Sequence, residues 1–198
     1  MAGYRDLHVD LGTGDGKFVL RAARAEPDVL HIGVDALEEP MAESIRRAAS
    51  KPARGGVPNA RFMVADAMMP PASLRGSAGL VTVNYPWGSL LRAVAAPEPR
   101  GLAAIVGLLR PGGRLEAVLN ASAADDGAYA EKLDLPPLDG EHLDGRVVPG
   151  WRSAGLSDVD WHPLAAGEDP PYRTTWGQRL VRGSGRETVV VSGELPSS

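Results

Sequence analysis

The sequence predicts an α/β fold built on a mostly parallel sheet. Three observations predict it. Short strands rich in Val, Leu and Ile alternate with amphipathic helices from Leu7 to Asn120. The first strand runs directly into a glycine-rich turn, and the C-terminal stretch holds two paired-strand candidates about a Gly-Ser-Gly turn at residues 183–185. Strands that alternate with helices at this spacing need crossover connections, which make neighbouring strands parallel.

Taken in order, Leu7–Leu11 (LHVDL) is a short buried strand and Lys17–Ala25 a helix. Leu30–Val34 (LHIGV) is the second strand, followed by Asp35. Glu38–Ala49 is a helix with Met41, Ile45, Ala48 and Ala49 at three-to-four spacing. Ala60–Ala65 and Gly79–Val83 are the third and fourth strands. Leu90–Leu109 reads as mostly helical, broken around Pro97 and Pro99 because proline removes a backbone donor. RPGG (residues 110–113) reads as a turn into a fifth strand, Arg114–Asn120. Residues 121–150 are polar and form a long insert, helical near Ala128–Leu133. WRSAGLSDVDWHPL (151–164) resumes as a helix end and a strand. TTWGQRLV (174–181) and RETVVVSG (186–193) read as paired strands, so the sheet finishes antiparallel.

A chain of 198 residues is long enough for one domain with a real core, so residues 1–198 are read as a single domain. No apolar run approaches the ~20 residues that a membrane helix needs, and no signal peptide is visible. The absence of cysteine excludes disulfides and thiolate metal sites, and the spacing of the four histidines suggests no metal site. A cytoplasmic, monomeric protein is expected. A net charge of −4 argues against non-specific coating of nucleic acid but leaves room for a local basic face.

HVDLGTGDGKF places Asp10, Gly12, Gly14 and Gly16 between a strand and a helix, where glycines allow a sharp turn and close ligand approach. A dinucleotide fingerprint needs a small residue at position 17, and Lys17 stands there. The loop also lacks the Gly-Lys-Ser/Thr ending of a P-loop. A carboxylate at Asp35 suits two ribose hydroxyls and Asp10 suits an ammonium group. S-adenosylmethionine offers both and carries no phosphate. The expected fold is therefore Rossmann-like, of the class I S-adenosylmethionine-dependent methyltransferase type. It has a seven-stranded, mostly parallel sheet and an antiparallel C-terminal strand. Asp66, after the third strand, occupies the place where such folds contact the adenine amine. The competing reading makes Asp10 and Asp15 turn residues, Asp35 a helix cap and Asp66 an Asx-turn.

VTVNYPWGSLL (81–91) ends the fourth strand beside the expected methyl donor. Asn84-Tyr85-Pro86-Trp87 fits the Asn-x-Pro-aromatic pattern of enzymes that methylate amino groups on bases. The longer strings DLGTGDGK, KPARGGVPN, PWGSLLR and TTWGQRL together resemble the ribosomal RNA methyltransferases that modify N1 of adenine 1408 in the small-subunit decoding site and confer aminoglycoside resistance. The resemblance runs from about Leu7 to Glu194 and is weak across 121–150.

The resemblance implies that Asp10, the glycine loop (Gly12, Thr13, Gly14), Asp35 and Ser89 hold S-adenosylmethionine; Ala36, Asp66, Ala67 and Asn84 are expected at the same cofactor site. It implies that Trp87 and Trp176 sandwich a flipped adenine, with Pro86 stiffening the turn and Thr174 steadying the ring of Trp176. Lys51, Arg54, Arg173, Arg179 and Arg182 would meet 16S rRNA on the 30S subunit. Arg46, Arg47, Lys51 and Arg54 read equally as a solvated helix face. Two features depart from the family pattern. About six residues precede the first strand, where members carry a hairpin, and Asn84 replaces an apolar residue.

Adenine N1 has an in-plane lone pair and needs no general base. The lack of an obvious catalytic His or Cys is consistent with that. His8 and His31 read as packed strand residues, His142 and His162 as exposed irregular ones, and Trp151 and Trp161 as core or packing residues. Other readings are methylation of a base amine or of tRNA, which Asn84 favours; small-molecule methylation with the insert as a lid; and a cofactor-binding homologue without activity.

Overall fold

The computed structural model describes residues 3–124, 127–164, 172, 174, 175 and 187–197. Seven strands form one sheet: β1 (Asp6–Leu11), β2 (Val29–Asp35), β3 (Ala60–Val64), β4 (Ala78–Asn84), β5 (Leu109–Asn120), β6 (Ser157–Pro163) and β7 (Thr188–Glu194). Their spatial order is β3-β2-β1-β4-β5-β7-β6. β1 to β5 pair in parallel, and β7 runs antiparallel to both β5 and β6. The chain winds outward to β3, then returns beside β1 as β4 and winds the other way. The switch point between β1 and β4 is where such sheets open a crevice at their carboxyl ends.

The helices are α1 (Lys17–Ala25), α2 (Glu38–Ala48), α3 (Gly88–Ala95), α4 (Pro99–Val106), α5 (Gly127–Leu133), α6 (Gly140–His142) and α7 (Val148–Ser153). A π-helical turn, Leu143–Val147, joins α6 to α7 without a break. α1 buries Phe18, Val19, Leu20 and Ala23, the three-to-four stripe of an amphipathic helix. Gly16 begins it at φ 68°, and a Cβ there would run into the Phe62 ring and meet Ser44 Cβ at 3.0 Å. The central strands are buried on both faces. Leu7, Val9, Leu11, Val34, Val81 and Val83 are almost inaccessible, as crossover helices on a parallel sheet require.

Three expectations need correction. The RPGG stretch is not a turn but the first part of β5. Gly112 takes φ 71°, its N–H donates to the Leu195 carbonyl at 2.8 Å, and Leu195 N–H donates to Gly113 at 2.8 Å. The C-terminal segment after β7 therefore holds this stretch extended. The insert at 121–150 is not merely polar: Leu135, Leu138, Leu143, Val147 and Val148 are buried in the main core. His142 lies in helix rather than irregular chain, and its Nε2 sits 2.7 Å from the Ala95 carbonyl oxygen at the end of α3. Trp151 is fully buried and donates through Nε1 to the Val94 carbonyl at 3.0 Å, so it is a core residue as read.

Trp161 is half-buried and donates to Asp144 at 2.7 Å. The partners of β7 are β5 and β6. The strand expected at 174–181 lies mostly outside the described residues, and Thr175 within it is helical. No described helix is long and apolar enough to cross a membrane.

Candidate active site

The carboxyl ends of β1, β2 and β4 open onto a cavity of about 310 Å³. Asp10, Gly12, Thr13, Gly14, Asp35, Ala36, Asp66, Ala67, Asn84 and Ser89 all line it, as do Pro86, Trp87 and Thr174. Loops distant in sequence thus meet at the switch point.

Asp10, the penultimate residue of β1, is 3% exposed. Its Oδ1 accepts from Thr82 Oγ1 at 2.7 Å and from Asn84 Nδ2 at 2.9 Å. Burial pushes its carboxyl up to about 6, against these donors and with a contribution from the charge of Asp35. Near neutral pH it remains a carboxylate in a low-dielectric pocket, where a cation is strongly favoured. Because Asp10 is an acceptor, Asn84 must present its NH₂ to it. Asn84 Oδ1 is then a buried acceptor with no partner among the described residues. A cationic N–H group placed between the two oxygens would satisfy both.

Gly12 takes φ 69°, and a Cβ on it would approach Leu90 Cδ2 to 2.8 Å. This close approach and the left-handed backbone together require glycine. Asp35 accepts at Oδ2 from Gly14 N–H (2.9 Å) and at Oδ1 from Leu37 N–H (3.1 Å). It therefore ties the glycine loop to the start of α2 while still facing the cavity. Asp66 accepts from Met68 N–H at 2.8 Å, an Asx-turn, and also lines the cavity. At Asp35 and Asp66 the turn role and a place at the cavity wall coexist.

β4 ends in strained chain. Tyr85 is buried at φ 47°, an uncommon conformation for an aromatic residue, and its N–H is held by Val118 O at 2.7 Å. Gly88 follows at φ 58° and starts α3. Between these two left-handed positions Pro86 is buried, while Trp87 is 49% exposed at the cavity rim. Backbone strain of this kind persists where the surroundings fix it, and it gathers at functional sites.

Sequence reasoning missed several residues that share the site. Asp15, Phe18, Tyr85, Leu90 and Thr175 also line the cavity. Thr175 Oγ1 donates to Asp15 Oδ2 at 2.8 Å across 160 residues of chain. Lys17 Nζ lies 3.1 Å from the same carboxylate. The Thr175 hydroxyl and Lys17 hold the Asp15 carboxyl below its ordinary value even though partial burial opposes them. The threonine pair of TTW was a visible signal, but its partner was not. Lys51 and Arg54 are exposed at the 3₁₀ turn Pro52–Arg54 and do not line the cavity. Trp176, Arg173, Arg179 and Arg182 lie outside the described residues.

A family model described as NpmA, 16S rRNA (adenine(1408)-N(1))-methyltransferase, matches residues 1–195. The chain belongs to this methyltransferase family. The 16S rRNA (adenine(1408)-N(1))-methyltransferase of Streptoalloteichus tenebrarius is 34% identical over 178 residues, covering 89% of this chain and 81% of the relative. The antibiotic-resistance methyltransferase Kmr superposes with a TM-score of 0.81 at 44% identity, covering 100% of this chain and 90% of that one. A variant of the 16S rRNA (adenine(1408)-N(1))-methyltransferase from Catenulisporales acidiphilia, solved with its cosubstrate SAM, superposes with a TM-score of 0.88 at 30% identity. That match covers 99% of this chain and 88% of the other. The expected family and the seven-stranded class I fold are both correct.

Proposed function

We propose that this chain transfers a methyl group from S-adenosylmethionine to N1 of adenine 1408 in the 16S rRNA of the 30S subunit, giving aminoglycoside resistance. It would act in the cytoplasm as a monomer. The observation that carries the reading is one cavity that joins a buried carboxylate, Asp10, to a half-exposed tryptophan, Trp87, on a rigid turn.

The cavity fits the cofactor chemically. Asp10 and Asn84 Oδ1, which has no partner among the described residues, suit its ammonium group, Asp35 its ribose hydroxyls, and Asp66 its adenine amine. Gly12, Thr13 and Gly14 let the chain approach closely, while Ala36, Ala67 and Ser89 complete the wall. When bound, the cofactor supplies an electrophilic methyl group on a sulfonium. Adenine N1 carries its own lone pair, so the chain's task is positioning and electrostatics. Extraction of a base costs a few kcal/mol, and stacking on an aromatic ring returns about 1–3 kcal/mol per base. Trp87, with Trp176 as the second ring and Thr174 steadying it, would hold the base. Tryptophan faces favour cations, so the ring binds the purine more tightly as it gains positive charge.

With its NH₂ committed to Asp10 and its Oδ1 assigned to the ammonium group of the cofactor, Asn84 keeps no acceptor for an exocyclic amine, which favours N1. Lys51 and Arg54, together with Arg173, Arg179 and Arg182, are assigned to the rRNA backbone. The test is methylation of purified 30S subunits with primer-extension mapping. A stop at position 1408 that depends on the enzyme is expected. Methylation at another nucleotide, or none, overturns the assignment.

A further inference from the structure

The central strands carry polar residues where an apolar core is expected. His8 is 5% exposed, His31 1% and Thr82 0%. They lie on three adjacent strands, with His8 directly opposite His31 and Asp10 opposite Thr82 in the sheet register. His31 Nδ1 is 3.1 Å from His8 Nδ1, and His8 Nε2 is 2.9 Å from Thr82 Oγ1. Thr82 Oγ1 in turn donates to Asp10 Oδ1 at 2.7 Å.

We propose that His31, His8 and Thr82 form a directed hydrogen-bond chain that positions the Asp10 carboxylate for the ammonium group of the cofactor, with His8 and Thr82 as positioning residues. The proposal rests on the reading that Asp10 holds that ammonium.

Proton counting fixes the direction of every link. An ionised Asp10 can only accept, so the single proton of the Thr82 hydroxyl points at it. Thr82 Oγ1 must then accept from His8, which carries its proton on Nε2. Burial and the neighbouring His31 lower His8 to about 3, and burial, opposed by the Glu26 carbonyl, lowers His31 to about 4, so both rings are neutral. His8 Nδ1 is therefore a bare acceptor, and His31 carries its proton on Nδ1. The chain ends at His31 Nε2, a buried acceptor without a partner among the described residues. An acceptor is the better group to leave over, because an orphaned buried N–H is rarer and costlier.

The chain does more than fill space. Thr82 and Asn84 both reach Asp10 Oδ1, and neither engages the second oxygen. Two donors converging on one oxygen fix the plane of the carboxylate, and they lower the cost of its buried charge. Among the described residues, the groups that face Asp10 are few. His8 lies on its own strand, His31 and Asp35 on β2, and the uncharged Thr82 and Asn84 on β4. The Thr13 hydroxyl of the glycine loop shares the cavity and makes no hydrogen bond among the described residues. From the C-terminal side comes Tyr172, whose ring centroid is 6.4 Å from that of His8. Its hydroxyl is raised by burial and by Glu116 of β5.

The test has two arms. Nitrogen-15 NMR of the histidine side chains in the cofactor-free protein above pH 7 should show His8 protonated at Nε2 and His31 at Nδ1. His8 protonated at Nδ1 overturns the chain, and this measurement needs no variant to fold. In the second arm, calorimetry follows S-adenosylmethionine binding against pH. Thr82→Val should weaken binding about tenfold or more, as loss of a hydrogen bond to a charged group does. It should also move the pH midpoint of binding upward, because Asp10 loses a donor. Thr82→Ser, which keeps the hydroxyl, should restore both. Wild-type affinity and midpoint in Thr82→Val refute the positioning role. Asp10→Asn separates this from the parent reading: undiminished binding there would mean that Asp10 does not hold the ammonium at all.

Discussion

Replacing Trp87 with alanine probes the stacking argument directly. Trp87 is 49% exposed at the cavity rim, so roughly half its surface is open to an arriving base. A tryptophan side chain offers up to about 250 Å², and half of that at about 25 cal/mol/Å² gives an upper value of about 3 kcal/mol. Measured base–aromatic stacking spans about 1–3 kcal/mol. The expected loss in kcat/KM is therefore about 5- to 150-fold. Because Trp87 stands outside the core clusters, the variant should fold and bind S-adenosylmethionine as the parent does. The assay is transfer of labelled methyl to 30S subunits, with calorimetry and thermal unfolding as controls. An unchanged kcat/KM would refute the stacking role. A loss that follows cofactor affinity or Tm would show that the ring acts on the cofactor or the fold instead.

Other outcomes follow from the same geometry. Trp151→Ala should lower stability by about 3–5 kcal/mol, since a fully buried indole and its bond to Val94 are both removed; urea unfolding checks it. Stability of the cofactor-free protein should fall on acidification from about pH 6.5, where the unfolded chain binds protons that the neutral His8 and His31 refuse. Asp10 has the opposite sign between about 6 and 4, because the native state takes up its proton first, so one of the two histidines is offset there. The net slope is about 1.4 kcal/mol per pH unit in that window, and urea titrations at several pH values would show it. His8→Phe should flatten that slope; an unchanged slope counts against a buried neutral His8. Replacing Lys51 or Arg54 with alanine should weaken binding to 30S subunits and reduce the salt slope by about one for each phosphate no longer neutralised. Identical slopes would place both in a solvated face.

The sequence by itself determined the first four strands, the first two helices and the glycine turn between β1 and α1. Strand and helix periods, glycines at turns and prolines at breaks are local properties, which neighbouring residues encode. β1 to β4 and α1 and α2 lie within a residue or two of where the pattern put them, and the residues assigned to the cofactor meet at one cavity. Only the tertiary structure decided what depends on register between distant strands. LHVDL, LHIGV and VTVN each show a polar residue inside an apolar run. Nothing local says that His8, His31, Thr82 and Asp10 form one chain, because that follows from how three strands align. The Thr175–Asp15 bond spans 160 residues and has no local trace. The insert looked polar because its apolar residues are spread among Asp, Gly and Pro. Folding collects Leu135, Leu138, Leu143, Val147 and Trp151 into the main core with α3 and the sheet, since burying them outweighs the irregular backbone between them.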